Sequence, residues 1–252
     1  MPKSYTYIVA SLHGRSGKTL LARLLADYAI LQGEAPLIFD TDAAEKRLSA
    51  CFPTRSTVVD LDKVTDQMSL FDTLTAPSSS PRVVDLTHRS FTKFFKLMQE
   101  IGFVAEAKAR DNEPVIFYIH DHEADSFAEG RRLREQFRDC HFVVTQNSNF
   151  GQPDRHIQRT DDYKMLKMHD LHLFIPTLDP MFISVADDPR LSLSEFMHDP
   201  PVNRPTGELS LAYLSLEARA SIRAWLKDAF AEIQRLSEIV KLRSEMTFKK
   251  PF

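Results

Sequence analysis

The sequence predicts an α/β chain in three layers, with a mostly parallel central sheet flanked by helices. Two observations carry this. Short, near-continuous apolar runs alternate with stretches whose apolar residues recur at helical spacing, as in strands buried on both faces and joined by helical crossovers. Most of these runs also end in a polar cluster, as expected where strand ends along one edge carry the ligand-facing loops.

The first strand is the run over residues 5–12, most apolar at Tyr7, Ile8, Val9 and Ala10. Leu20, Leu21, Leu24, Leu25 and Tyr28 then mark a helix, which Gly33 stops. Residues 36–39 form a short strand ending in Asp40-Thr41-Asp42. After the Pro/Ser-rich break at 76–81, Arg82-Val83-Val84-Asp85 repeats the pattern of a carboxylate past an apolar run, and Phe91, Phe94, Phe95, Met98 and Ile101 mark a helix. Further strands are expected at 115–119, 141–145 and 171–175. Residues 187–210 are proline-rich and aperiodic, and read as a long excursion. Ile222, Trp225, Leu226, Ala229, Phe230, Ile233, Leu236 and Val240 define an amphipathic helix over about 214–241 that covers the sheet, followed by a fraying tail to Phe252. No linker separates two independent patterns, so residues 1–252 are expected to form a single domain.

The balance of 32 Lys+Arg against 35 Asp+Glu gives a net charge of −3, which argues against a generally basic nucleic-acid binder but not against a local basic patch. Cys51 and Cys140 lie far apart without ligand spacing, so neither a disulfide framework nor a zinc site is expected. A cytoplasmic protein is the expectation, with no export signal and no apolar window long enough for a membrane span.

Between the first strand and first helix lies His13-Gly14-Arg15-Ser16-Gly17-Lys18-Thr19, which reads as a phosphate-binding loop. The pattern G-x4-G-K-[ST] would place its first glycine at Leu12, so one of its positions is irregular. The end that does the chemistry is intact. Gly17 lets the backbone approach a phosphate, Lys18 reaches its outer oxygens, and the Thr19 hydroxyl suits Mg2+, all at a helix N-terminus that favours an anion. Asp85 fits the metal role beside Thr19, or else caps an exposed turn. Asp42 is a candidate to orient an attacking water, and Asp40 to hold Lys18 or the metal shell; the alternative for both is Asx-turn chemistry. The run His120-Asp121-His122-Glu123-Ala124-Asp125 is rich in ligand-type residues, but no second cluster completes a tetrahedral site, so a strand end followed by a helix start is the better reading.

With these pieces in place, the chain resembles the ParA/MinD-type deviant Walker ATPases, and within them the plasmid partition and conjugal-transfer nucleotide-binding proteins, over about residues 5–186. Their loop reads K-G-G-x-G-K-[ST]. Aligned on Gly17-Lys18-Thr19, the signature lysine falls on His13 and the second glycine on Arg15. The resemblance implies a P-loop NTPase fold that holds ATP or ADP with Mg2+ through residues 13–20, His13 to Leu20. It makes Asn147, in Thr145-Gln146-Asn147-Ser148-Asn149-Phe150-Gly151, an adenine contact, and places Pro176 in a loop closing over the base. It also implies slow hydrolysis of ATP to ADP and phosphate, a nucleotide-dependent homodimer, and DNA or a DNA-transfer protein as partner. Histidine is shorter than the lysine it replaces and is often uncharged at cytosolic pH, while arginine crowds a turn where glycine is usual. Two other readings stand beside this one. An ATP-dependent ligase or synthetase of dethiobiotin-synthetase-like architecture would take its substrate at residues 120–125 and 187–210. A non-hydrolysing scaffold would work through the C-terminal helix.

Overall fold

The computed structural model describes residues 3–198 and 214–247. Among them are seven strands: β1 (Ser4–Ala10), β2 (Leu37–Asp40), β3 (Ser56–Val58), β4 (Arg82–Asp85), β5 (Asn112–His120), β6 (His141–Asn147) and β7 (His172–Ile175). They form one sheet in the order β3-β2-β4-β1-β5-β6-β7, with every pairing parallel. The connections carry α1 (Lys18–Leu31), α2 (Arg47–Cys51), α3 (Val64–Thr75), α4 (Phe91–Glu100), α5 (Phe103–Ala109), α6 (Ala124–Gln136), α7 (Arg155–Gln158) and α8 (Asp161–Lys167); α9 (Pro180–Ala186) and α10 (Leu216–Thr247) follow β7.

Strand alternation sorts side chains to the two faces of the sheet. Val9, Val83, Phe117, Ile119 and Val143 pack with α1, α9 and α10, while Ile8, Val84, Ile116, Tyr118 and Val144 pack with α3 to α6 and α8. This produces the three expected layers. On the second face, α6 approaches β5 closely: a Cβ at Gly130 would lie 2.5 Å from Tyr118 Cε1.

Two sequence expectations need revision. The aperiodic stretch after residue 187 is, over its described part, a packed return and not an excursion: Leu191, Leu193 and Phe196 are buried in the core beside α1 and α10. It is held by a buried pair on α1. Arg23 donates to the carbonyls of Ala186, Asp188 and Leu191, and Asp27 accepts from the Ser192 hydroxyl and the Ser194 N–H. Residues 199–210 lie outside the described residues. The C-terminal helix runs on to Thr247, past the expected stop near 241, so Lys241 and Arg243 belong to the helix and not to a frayed tail. Residues 248–252 lie outside the described residues.

The strand order puts β1 between β4 and β5, so the chain departs from β1 first to one side and later to the other. In open parallel sheets such a reversal is where ligands bind. In register, Val9 pairs with Asp85, Ala10 with Tyr118 and Asp40 with Asp85, which brings the ends of β1, β2, β4 and β5 together.

Candidate functional site

The loop after β1 turns into α1 through Gly17, whose φ of 100° only glycine adopts without strain. A Cβ there would also lie 2.6 Å from Asn147 Nδ2. Arg15 has φ 60°, in the left-handed region that favours glycine. The arginine holds this conformation at a backbone cost of about 1–2 kcal/mol, and it is exposed.

Lys18 is buried, and its Nζ donates to the His13 carbonyl at 2.6 Å and to Ser16 Oγ at 3.3 Å. Burial pulls its pKa down to about 8, against the opposing pull of Asp85 and Asp121. Thr19 Oγ1 donates to Asp85 Oδ2 at 2.7 Å. Asp85 is 5% exposed, and burial pushes its carboxyl up to about 7; the Thr19 hydroxyl and Lys18 pull it down, and the Asp40 and Asp42 carboxylates push it further up. A hydroxyl and a carboxylate side by side are the hard oxygen donors that Mg2+ takes, so the residues fit that ion.

Asp40 is fully buried, and its oxygens accept from the backbone N–H groups of Asp42 at 3.0 Å and Ser49 at 2.9 Å. It therefore shapes its own loop as an Asx turn, and Lys18 is held by His13 and Ser16 in its place. Asp42 is half-buried and accepts from the Glu45 N–H at 3.1 Å. Thr41, between them, was not singled out in sequence. Its Oγ1 donates to the Asp85 carbonyl at 2.9 Å and accepts from the Thr87 N–H at 2.8 Å, tying the β2 loop to the β4 loop. His88, in the short 3-10 turn His88–Ser90, was also missed: a Cβ at Gly14 would lie 3.4 Å from its Cε1.

The 120–125 cluster divides. His13 Nδ1 lies 2.6 Å from Asp121 Oδ2, and His13 Nε2 lies 3.4 Å from Asp125 Oδ2. His120 is buried against Phe127, with ring centroids 4.7 Å apart, and burial lowers its pKa to about 4. Among the described residues, no group of three or more His, Cys, Asp or Glu is placed to hold a metal ion.

At the end of β6, Asn147 is buried. Its Nδ2 donates to the Ser16 carbonyl at 3.3 Å and its Oδ1 accepts from the Asn149 N–H at 3.2 Å. The amide expected at adenine thus braces the loop at residues 13–19, because Gly17 leaves room for it. Pro176 follows Ile175, the register partner of Asn147, and its carbonyl accepts from Trp225 Nε1 at 2.8 Å. Leu20, in the first turn of α1, packs against the core on the α1 and α10 side. No described helix is long and apolar enough to cross a membrane.

No protein-family model matches the chain, and no curated protein sequence matches it. Solved structures do. The septum site-determining protein MinD of Pyrococcus horikoshii OT3, complexed with Mg-ADP, matches with a TM-score of 0.48 at 12% identity, over 89% of this chain and 95% of that one. A nucleotide-binding protein of Archaeoglobus fulgidus in complex with ADP gives 0.47 at 15%, over 74% and 87%. The MinD cell division protein of Aquifex aeolicus gives 0.47 at 14%, over 91% and 97%.

Proposed function

We propose that this chain binds ATP and ADP with Mg2+ at residues 13–20, hydrolyses ATP slowly, and acts as a nucleotide-operated switch in the partition or transfer of DNA. The hydrogen bond from Thr19 to Asp85 carries the reading. It joins a phosphate-loop hydroxyl to a buried carboxylate from a different strand, an arrangement a solvated lysine in a plain strand-to-helix turn does not need. Thr19 and Asp85 are the residues that would hold Mg2+, which supplies positive charge to phosphate oxygens when bound. Lys18 supplies a second positive charge from inside the loop. Free N–H groups at the head of α1 suit the phosphates themselves.

Asp42, half-buried beyond β2, is assigned to orienting water. The DNA setting and a nucleotide-dependent pairing of two copies rest on the loop's resemblance to partition proteins. The synthetase alternative is the weaker reading, because two carboxylates of the cluster it needs for substrate are committed to His13.

Phosphate release tests the hydrolytic part. Wild type releases phosphate from Mg-ATP above a protein-free control, and Asp42→Ala binds ATP but loses the release. A wild type that binds without releasing is a binding switch, and an Asp42→Ala variant that releases at the wild-type rate removes Asp42 from the chemistry.

A further inference from the structure

His13 occupies the signature-lysine position of the resembling loop, yet its side chain faces its own chain. Both ring nitrogens meet carboxylates: Nδ1 meets Asp121 at 2.6 Å, just past β5, and Nε2 meets Asp125 at 3.4 Å, in the first turn of α6. Only the imidazolium donates from both nitrogens, so this clasp favours the charged ring. Burial opposes the charge, but the hydrogen bond and charge of Asp121 and the contact with Asp125 outweigh it, and the pKa rises above its ordinary 6.5. Two further charged or titratable groups face it. The Lys18 ammonium sits on the His13 carbonyl, and His88 lies close enough for His13 to lower its pKa.

Asp121 reaches electrostatically into the phosphate loop, since its charge raises the pKa of Lys18. A polyphosphate entering the loop therefore meets a carboxylate whose charge must be cancelled. Like charges at such range oppose binding unless a counter-charge stands between them.

We infer that His13 is a charge-balancing positioning residue, clasped by Asp121 and Asp125 of its own chain so that the loop is pinned to the head of α6 and phosphate-bearing ligands bind more tightly when the ring is charged. The inference rests on the nucleotide reading above. It gives His13 a role within one chain.

Calorimetry with Mg-ADP tests it. At pH 6, His13→Gln binds about tenfold more weakly than wild type, the size of one uncancelled charge at partly exposed range. The ratio falls toward one as pH rises and wild type loses the same charge. His13→Gln with Asp121→Asn recovers most of the affinity, because the carboxylate that needed cancelling is gone. A merely structural role for His13 would give a loss independent of pH and not rescued by Asp121→Asn. In the nucleotide-free protein, the His13 ring proton resonance titrates above 6.5 in wild type and at lower pH in Asp121→Asn. Equal affinity of wild type and His13→Gln at pH 6, or a ring titration indifferent to Asp121→Asn, overturns the inference and leaves the nucleotide reading standing. A wild type that binds no Mg-ADP overturns both.

Discussion

Asp85 is ionised at a cost in the metal-free protein, because burial raises its pKa from 3.8 to about 7. The folded chain then keeps a proton that the unfolded chain has released, so stability falls as pH rises from about 4 to about 7 and levels off above that. Asp85→Asn abolishes the penalty. In urea unfolding with chelator present, it is more stable than wild type by about 2–4 kcal/mol near pH 8, and the gap closes toward pH 4. Equal stability near pH 8 would mean that Asp85 is solvated in the folded protein. At this scale the sequence showed the site unevenly. That Thr19 and Asp85 would lie side by side was legible, because each follows an apolar strand along one edge of a parallel sheet. The His13–Asp121 contact was not, since the partners are 108 positions apart and neither belongs to the other's motif. Arg15 was legible as an oddity, and its left-handed backbone shows the strain of a turn that favours glycine. The contact of the Asn147 amide with the Ser16 carbonyl was not legible, because the space at Gly17 that admits it is visible only in three dimensions.

Among the elements, α6 meets both the loop at residues 13–19 and the sheet. It carries Asp125 at its head and lies against β5 at Gly130. Helix propensity alone makes Gly130→Ala stabilising by about 1 kcal/mol. Packing opposes it: the new methyl would meet Tyr118 Cε1 at 2.5 Å and Leu166 Cδ1 at 3.0 Å, and the Tyr118 hydroxyl is held by the Ser126 carbonyl at 2.7 Å. Overpacking of this kind costs about 1–3 kcal/mol, so packing wins and Gly130→Ala lowers stability in urea unfolding. A more stable variant would show that α6 has room to move off the strand. The principal strands were legible as apolar runs because parallel strands bury both faces. β3 was not: Ser56-Thr57-Val58 is short, polar and at the sheet edge, and neighbouring β2 specifies it more than its own composition does. The return after α9 was also hidden. Its apolar residues have no period, and the buried Arg23 and Asp27 that hold it belong to a helix far earlier in the chain.

For the whole molecule, the strand order concentrates the polar groups. β1 feeds the loop at residues 13–19, β4 and β2 bring Asp85, Asp40 and Asp42, β5 leads to Asp121, and β6 ends in Asn147, all along one edge of a parallel sheet. A ligand that binds only the native state at that edge raises the apparent stability of the fold. These groups are proposed to form a nucleotide site in which Lys18 meets phosphate. Calorimetric titration with Mg-ATP tests it most directly: wild type is predicted to bind at one site per chain, and Lys18→Ala to bind at least about tenfold more weakly, as expected for losing a hydrogen bond from a charged group. Equal affinity in the two proteins, or no binding by wild type, would contradict it.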